Sequence, residues 1–215
     1  MIEAIIFDFD GTILESERPD YQAWHEIFQM HNTSLPLALW QQQIGTVSHE
    51  FNPYQILEEQ LGRTVDRQVL QQERRQRFLA LMAQETIKPG VIEVIEAAQQ
   101  AGIQLGVASS GTRDWVEGNL IKFDLRRHFQ VVRTAADVQR VKPDPELYLS
   151  ALAALGVEPS HALAIEDSRN GMLAAKRAGM HCLVVPNEMT CTMNFAEADW
   201  VLNSLYEFRI QQSFS

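Results

Sequence analysis

Ile2-Glu3-Ala4-Ile5-Ile6-Phe7-Asp8-Phe9-Asp10-Gly11-Thr12 is the stretch that decides the fold of this chain. Its apolar run is dense enough to predict a strand buried on both faces, as in a parallel sheet covered by helices. Ligands bind beyond the carboxyl ends of such strands, so we expect Asp8 and Asp10 to lie in a binding crevice. Two carboxylates this close repel each other and raise a pKa unless a cation lies between them. The stretch therefore predicts a divalent-metal site and a carboxylate nucleophile.

Length and composition are those of an ordinary globular chain. The 215 residues, 46% hydrophobic and 21% charged, suffice for one large domain or for a core domain with a smaller insert. The formal net charge of −10 argues against nucleic acid or an anionic membrane as the main partner. Cys182 and Cys191 are too few for a disulfide framework and lack metal-ligand spacing.

The sequence pattern predicts neither export nor a membrane span. No basic leader precedes an apolar segment, and no apolar run approaches the ~20 residues that a membrane helix needs. We therefore expect a cytoplasmic protein that does not enter the membrane. The composition leaves the oligomeric state open, a monomer included.

The chain contains two kinds of pattern. Between residues 15 and 86, apolar residues recur at helical spacing and no strand stands out, which predicts an inserted helical bundle. Lys88-Pro89-Gly90 marks the return from it, because proline and glycine end regular elements. Strands and helices then alternate, which favours βαβ units. The predicted fold is α/β, a doubly wound parallel sheet formed by residues 1–14 and 87–215, with a helical insert at residues 15–86.

The elements can be placed one by one from periodicity and punctuation. In the insert, Arg74–Met82 is predicted to be helical. After the insert we predict helices at Val91–Ala101, Asp114–Lys122, Pro145–Leu155 and Gly171–Ala178, and strands at Ile103–Ala108, Val131–Val132, Ala162–Ile165, His181–Val185 and Trp200–Leu202.

Polar residues stand at the ends of further predicted strands. Ser109-Ser110-Gly111-Thr112 is either an ordinary turn or a cradle of N–H and hydroxyl groups for an oxyanion. Lys142 is either a solvated charge or, because Pro143 restricts its backbone, a cation directed into the crevice. Glu166-Asp167 either caps the next helix or holds a hard cation such as Mg²⁺. Each motif alone is ambiguous, but four in succession predict one shared site.

Together these motifs resemble those of a known superfamily, the haloacid dehalogenase-like phosphatases. The four motifs in order are Asp8-Phe9-Asp10-Gly11-Thr12, Ser109, Lys142 and Glu166-Asp167. The segments Val141-Lys142-Pro143-Asp144-Pro145 and Ile165-Glu166-Asp167-Ser168 resemble its β-phosphoglucomutase-like subgroup, and the helical insert stands where that subgroup has its cap domain. The resemblance covers nearly the whole chain and implies a Rossmann-like core with an inserted cap.

The resemblance implies Mg²⁺-dependent hydrolysis of a small phosphorylated metabolite. Asp8 would be the nucleophile that forms an aspartyl-phosphate, and Asp10 would protonate the leaving oxygen and then activate water. The Asp8 carboxylate, the Asp10 backbone carbonyl and Asp167 would bind the Mg²⁺. Glu166 would assist as a further ligand or beside the ligands. The second aspartate favours phosphate chemistry, because the dehalogenases of the superfamily lack both it and the metal.

The resemblance also assigns the groups around the phosphate. Ser109 and Ser110 would hydrogen-bond the transferring phosphoryl group, and Lys142 would balance charge between that group and Asp8. Gly11 would allow the backbone to turn tightly beside it.

Substrate choice is expected to lie with the insert, where the sequence departs from the sugar phosphomutases of the subgroup. They carry a histidine where Asp20 stands, and an arginine where His49 ends the segment Gly45-Thr46-Val47-Ser48-His49. Histidine cannot supply the planar, always charged fork with which arginine grips a second phosphate. We therefore expect a phosphatase rather than a mutase, with Asp20 and His49 as substrate contacts.

Two alternatives stay open beside the phosphatase. One is a β-phosphoglucomutase-like sugar phosphomutase, and the other is a non-catalytic binding protein on the same fold. The Arg74-Arg75-x-Arg77 cluster could reach an anionic substrate, although a solvated helix face is the simpler expectation for it.

Overall fold

A six-stranded parallel sheet forms the centre of the protein. The structure, a computed structural model, describes residues 1–46 and 51–210. The strands are β1 (Ala4–Phe7), β2 (Gln104–Ala108), β3 (Val131–Arg133), β4 (Ala162–Glu166), β5 (His181–Val184) and β6 (Trp200–Val201). Their order across the sheet is β3-β2-β1-β4-β5-β6, and the paired strands are parallel. The prediction of an α/β fold with a doubly wound sheet is confirmed.

The α-helices of the described residues fall into two groups. Those that follow β1 directly are α1 (Glu17–Met30), α2 (Leu37–Trp40), α3 (Pro53–Leu61) and α4 (Arg67–Met82). Those that alternate with the later strands are α5 (Val91–Gln100), α6 (Arg113–Lys122), α7 (Glu146–Leu155) and α8 (Arg169–Arg177). The first group occupies the predicted insert, and the second covers the sheet.

Both faces of the sheet are buried, as the dense apolar strands predict. Along β1, Ile5 and Phe7 belong to the hydrophobic cluster on one face, while Ala4 and Ile6 belong to the cluster on the other. All four are fully buried. Because successive side chains of a strand point to opposite faces, only an uninterrupted apolar run can serve a sheet with helices on both sides. This burial fixes the strand that delivers Asp8 to the sheet edge.

The inserted helices have a hydrophobic cluster of their own. It contains Trp24, Phe28, Trp40 and Leu57 from the helices, and the ring of Trp24 meets that of Tyr54 edge-on at a centroid distance of 4.9 Å. One member, Met189, comes from the segment after β5, so the insert and the sheet domain share packing at that point. The division of the chain at residues 15 and 86 stays a prediction.

Two chain segments connect the insert to the core side by side. Leu14 forms an antiparallel bridge with Ile87, and the Lys88 N–H donates to the Ile13 carbonyl at 2.9 Å. Side chains join the same segments, because Lys88 pairs with Glu15 at 3.4 Å and Arg18 pairs with Glu85. The two segments that connect the insert to the core are thus held together by backbone and side-chain contacts.

Element ends differ from the predicted ones where a side chain caps a helix. The helix predicted at Arg74–Met82 begins earlier, at Arg67, because the Asp66 side chain accepts from two free N–H groups of the first turn. The helix predicted from Gly171 begins at Arg169, because Ser168 caps it and accepts from the Gly171 N–H. The other predicted elements agree with the structure within two residues at each end.

Among the described residues, no helix combines the length and the apolar character that crossing a membrane requires. The cytoplasmic location stays a prediction.

Candidate active site

Sheet register brings the predicted motifs to one edge. Phe7, the last residue of β1, pairs with Ile165 of β4 on one side and with Val107 of β2 on the other. The residues that follow these strands therefore come together, because the carboxyl ends of parallel strands meet at one sheet edge. Asp8 follows β1, and the Asp8 N–H continues the ladder by donating to the Ile165 carbonyl at 2.9 Å. The neighbouring strand ends supply Glu166 and Ser109.

Lys142 lies at the centre of the site. It is fully buried, and its Nζ lies 2.5 Å from Asp8 Oδ1 and 2.7 Å from Glu166 Oε1. Burial alone would lower its pKa, but the carboxylates of Asp8 and Glu166 outweigh that effect and raise the pKa of Lys142 above its usual range. The lysine is therefore a fixed cation, and the expectation of a directed rather than a solvated side chain agrees with its burial.

Asp8 is held with one oxygen on the lysine. Burial raises the pKa of Asp8 to about 7, against the opposing charge of Lys142 and with the help of the nearby Glu166 carboxylate. The carboxyl group thus lies in surroundings that disfavour its charge unless a further cation is present. Lys142 contacts Oδ1, whereas the second oxygen, Oδ2, has no hydrogen bond among the described residues.

The Glu166 carboxylate accepts hydrogen bonds from several groups of the site. Its Oε1 accepts from Lys142 and, at 2.5 Å, from the hydroxyl of Tyr148, which is itself fully buried on α7. Its Oε2 accepts from the Asp167 N–H at 3.3 Å. Burial and the adjacent Glu166 charge raise the pKa of Tyr148 well above its usual value, so Tyr148 serves as a donor only. Glu166 and Tyr148 together fix the position of the lysine.

Asp167 is the carboxylate best placed to hold a metal ion. Its Oδ2 accepts from the Asn187 side-chain amide at 2.6 Å, while its buried Oδ1 has no hydrogen-bond partner among the described residues. Oxygen atoms of Asp8, Glu166 and Asp167 lie within 4.8 Å of one another. Burial, with the charge of Asp8 next in importance, raises the pKa of Asp167 well above its usual range. An orphaned oxygen in an all-carboxylate cluster fits a hard cation such as Mg²⁺.

Gly11 makes room for this cluster. Its φ of +81° is a left-handed conformation, and a Cβ at this position would stand 2.2 Å from Asp167 Oδ2. Only glycine combines that backbone with so close an approach of a carboxylate. The sequence prediction of a tight turn at Gly11 thus agrees with the geometry, although the group that needs the space is Asp167.

Asp10 is held by neutral donors. Its Oδ1 accepts from the Ser16 hydroxyl at 2.6 Å and from the Trp115 indole N–H at 2.8 Å. The Ser109 hydroxyl lies 3.4 Å from its other oxygen, Oδ2. Burial raises the pKa of Asp10, and the donors from Ser16 and Trp115 counter part of that rise. A half-buried carboxyl group held by neutral donors suits general acid–base work.

A cavity of about 400 Å³ lies between the sheet edge and the inserted helices. Asp8, Asp10 and Ser110 line its core side, and Asp20 and Arg74 line its insert side. The Arg74 guanidinium pairs with Asp20, with its Nε 3.0 Å from Asp20 Oδ1. The expectation of a solvated helix face is therefore wrong for Arg74, because α4 packs against α1 and turns this arginine toward Asp20.

The remaining predicted residues have mixed outcomes. Asp20 lines the cavity, and its role as a substrate contact stays a prediction. The Ser110 hydroxyl also lines it, and donates to the Gly45 carbonyl of the insert at 3.1 Å. His49 lies outside the described residues.

Sequence reasoning missed several residues that complete the site. Trp115, Tyr148 and Asn187 each donate to a different one of its carboxylates. Glu17 projects a carboxyl group into the cavity, and burial, followed by the charge of Asp10, raises its pKa well above the usual range. A usable signal existed only for Glu17, which follows Ser16 closely after the first motif. The other three reach the site from distant segments.

Fold and site together define a class of protein, and the chain belongs to the haloacid dehalogenase-like hydrolase family. The sequence model of that family matches residues 5–185, which include all four motifs. The family resemblance inferred from the motifs is confirmed.

Individual relatives are similar over nearly their whole length. The chain is 47% identical over 210 residues to "Putative phosphatase YhcW" of Bacillus subtilis, covering 98% of this chain and 95% of that protein. It is 34% identical to validoxylamine A 7′-phosphate phosphatase of Streptomyces hygroscopicus, covering 97% of each. A crystal structure of β-phosphoglucomutase from Clostridium difficile superposes with a TM-score of 0.75 at 22% identity, covering 98% of this chain and 95% of that one. That last likeness shows the shared fold alone.

Proposed function

We propose that this protein is a Mg²⁺-dependent phosphatase that hydrolyses a small phosphomonoester, such as a sugar phosphate, through an aspartyl-phosphate on Asp8. One observation carries the proposal: Asp8, with Lys142 Nζ at 2.5 Å, and Asp10, with its separate neutral donors, line the same cavity. Two carboxyl groups in different surroundings can take different roles, one as the nucleophile and the other as the general acid and base. The relatives named as phosphatases support the same reaction class.

In the first step, Asp8 displaces the alcohol from phosphorus. The Asp8 carboxylate oxygen that Lys142 does not contact forms a bond to phosphorus while the bond from phosphorus to the leaving oxygen breaks. Asp10 gives its proton to that leaving oxygen. The Ser109 hydroxyl donates to the phosphoryl oxygens, and the ammonium of Lys142 offsets negative charge that develops beside Asp8.

In the second step, water releases the phosphate. Asp10, now a carboxylate, takes a proton from the water as its oxygen attacks phosphorus. The bond between phosphorus and the Asp8 oxygen breaks, so Asp8 is restored as a carboxylate. Inorganic phosphate leaves, and Asp10 again carries the proton needed for the next turnover.

The carboxylate cluster is where Mg²⁺ would be held. Asp8, Asp167 and the Asp10 backbone carbonyl are the proposed ligands, with Glu166 occupied mainly by Lys142 and Tyr148 and therefore beside them. When bound, the ion neutralises phosphoryl charge and orients the phosphoryl group. Asn187 donates to Asp167 Oδ2 and leaves Oδ1 for the ion.

The insert side of the cavity favours a hydroxyl-rich leaving group. Among the described residues that line the cavity, the one cation, Arg74, is already paired with Asp20. Glu17 adds a further carboxyl group there. Carboxyl groups bind the hydroxyls of a sugar or polyol well, whereas a second phosphate needs an unpaired cation. This favours a monophosphate substrate and hydrolysis over the bisphosphate chemistry of a mutase.

Residues 15–86 act as a cap over this site. Contacts from the insert support that role, because Asn170 of α8 donates to the Ile44 carbonyl at 2.8 Å and Gln41 donates to the Met189 carbonyl at 2.8 Å. Opening admits substrate, and closing excludes bulk water during transfer.

The test is release of inorganic phosphate from a panel of phosphorylated metabolites with Mg²⁺. The panel contains both anomers of glucose 1-phosphate, glucose 6-phosphate, a hexitol phosphate, phosphoglycolate and a sugar bisphosphate, with Asp8→Asn as the blank. We expect release above the blank, with sugar or polyol monophosphates ahead of the bisphosphate. Conversion of β-glucose 1-phosphate to glucose 6-phosphate without phosphate release would instead establish the mutase. Silence on the whole panel would contradict the proposal.

A further inference from the structure

Trp115 contacts the site from outside the four motifs. It lies in the first turn of α6, half-buried, and its indole N–H donates to Asp10 Oδ1 at 2.8 Å. Trp115 also lines the cavity, as Asp10 does. Because an indole offers a single donor and no acceptor, this bond to Asp10 uses the whole hydrogen-bonding capacity of the Trp115 side chain.

The two donors on Asp10 Oδ1 differ in stiffness. The Ser16 hydroxyl, at 2.6 Å, can rotate about its own bond and can also accept. The Trp115 N–H is fixed in the plane of a large ring and points one way only. Oδ1 accepts from both of these donors, whereas Oδ2 has only the longer contact of 3.4 Å from the Ser109 hydroxyl, so Oδ2 is the oxygen left to exchange a proton with the substrate. Trp115 therefore selects which oxygen of Asp10 does the proton transfer.

The indole is held in turn by the insert. Phe78 of α4 packs on it with ring centroids 5.4 Å apart and planes at 44°. On Phe78 lies the guanidinium of Arg74, 5.0 Å from the ring centroid, and Arg74 pairs with Asp20. A continuous row of contacts thus leads from Asp20 in the insert to Asp10 in the core. Aromatic and cation–π contacts have preferred geometries, so this row of contacts favours one orientation of the indole ring.

We propose that Trp115 is a positioning residue for Asp10, and that Phe78 secures it from the insert, so that the general acid is aligned when the cap lies over the core. The inference rests on the proposed phosphatase function and extends it to a residue outside the motifs. The row of contacts Asp20–Arg74–Phe78–Trp115 then connects the cap, which holds the substrate, to Asp10. Asp10 is the acid that protonates the leaving oxygen of that substrate. Trp115 does not touch the reacting phosphorus.

Leaving-group dependence separates this role from a merely structural one. Trp115→Phe keeps an apolar ring but removes the N–H. A sugar or polyol monophosphate from the panel has a basic leaving oxygen that needs the acid, whereas p-nitrophenyl phosphate has a leaving group that departs without it. The ratio kcat/KM reports the step in which the leaving group departs. We expect Trp115→Phe to lower it roughly tenfold or more for the alkyl phosphate and less than about twofold for p-nitrophenyl phosphate.

A double-mutant cycle makes the assignment specific. In an Asp10→Asn background, where the acid is gone, Trp115→Phe should cause no further loss on the alkyl phosphate. Phe78→Leu keeps apolar volume but removes the ring that packs on the indole. It should lower kcat/KM for the alkyl phosphate by a smaller factor than Trp115→Phe does, again with little effect on p-nitrophenyl phosphate. Full additivity of Trp115→Phe and Asp10→Asn would overturn the proposal.

The outcomes distinguish this inference from the proposed function. If the wild-type protein hydrolyses neither substrate, the phosphatase proposal has failed. If the wild-type protein is active and Trp115→Phe lowers kcat/KM equally for both substrates, the phosphatase stands and the positioning role is wrong. Circular dichroism of each variant excludes unfolding as the cause of any loss.

Discussion

At the residue scale, some positions of the site leave no room for a larger side chain. Gly11 illustrates this, because two separate demands meet there: a φ of +81° and an Asp167 oxygen 2.2 Å from the position of a Cβ. The first demand concerns backbone energy and the second concerns the proposed metal ligand. The two demands can therefore be separated by comparing the same substitution at Gly11 and at a glycine that has only the left-handed backbone.

Gly11→Ala should weaken Mg²⁺ binding beyond any effect on folding. The new Cβ pushes Asp167 away, and displaced ligands or their supports typically cost tenfold to a hundredfold in metal affinity. We expect the Mg²⁺ concentration for half-maximal activity to rise at least about tenfold. Gly102→Ala is the matched control, because Gly102 has a φ of +72° but no neighbouring atom within 4 Å of where its Cβ would stand. An unchanged Mg²⁺ dependence in Gly11→Ala would contradict the role given to Asp167.

Some residues of the site could be predicted from the sequence and others could not, for a physical reason. Asp8, Lys142 and Asp167 follow or precede recognisable elements, so each could be placed at the sheet edge from local pattern. Trp115 and Asn187 are ordinary residues in their own segments, and only tertiary packing brings their N–H groups to Asp10 and Asp167. Donors of that kind cannot be found without the fold.

At the element scale, α4 matters because it carries Arg74 and Phe78 to the cavity. Its first turn is fixed by Asp66, whose side chain accepts from the Gln68 and Val69 N–H groups at 3.0 Å and 3.2 Å. The earlier start of this helix escaped the sequence prediction because Val69 and Leu70 stand among polar residues that blur its period. The strands were easier to predict, since burial on both faces leaves an uninterrupted apolar run.

Asp66→Ala should lower stability without altering chemistry. Loss of an N-cap side chain costs about 1 kcal/mol, so we expect the free energy of unfolding of the insert to fall by that amount. kcat/KM should stay unchanged, because Arg74 and Phe78 lie further along α4. Urea unfolding followed by circular dichroism measures the first effect, and phosphate release measures the second. Gln72→Ala, at an exposed position of the same helix, is the control and should change neither.

At the scale of the whole molecule, the proposed reaction depends on the insert and core meeting over the cavity. The contact is tight around Gly45, where a Cβ would stand 2.2 Å from Ser168 Oγ. Ser110 and Asn170 of the core both donate to backbone carbonyls of this part of the insert, at 3.1 Å and 2.8 Å. The loop before α8 and the first turn of α8 thus serve both the proposed metal site and the docking of the insert.

Asn170→Ala should weaken the docked arrangement. Removing the donor to Ile44 leaves a carbonyl without its partner, which costs about 1–3 kcal/mol if the carbonyl stays buried. We expect kcat/KM to fall several-fold and the segments joining insert and core to become more sensitive to limited proteolysis. Gln60→Ala is a matched control, since its amide donates at 2.9 Å to the Ser34 carbonyl within the insert itself. Equal effects of the two variants would contradict docking through Asn170.

The central claim, an aspartyl-phosphate on Asp8, is tested most directly by trapping it. Asp10→Asn should slow release of the intermediate, because no base then activates the water. The variant is mixed with Mg²⁺ and p-nitrophenyl phosphate, whose leaving group departs without the acid, then quenched rapidly and reduced with borohydride, which converts an acyl-phosphate on aspartate to homoserine. Peptide mass spectrometry should find homoserine at position 8 and not in an Asp8→Asn control. Substrate turnover by the wild-type protein with unmodified Asp8 in every quenched sample would contradict the mechanism.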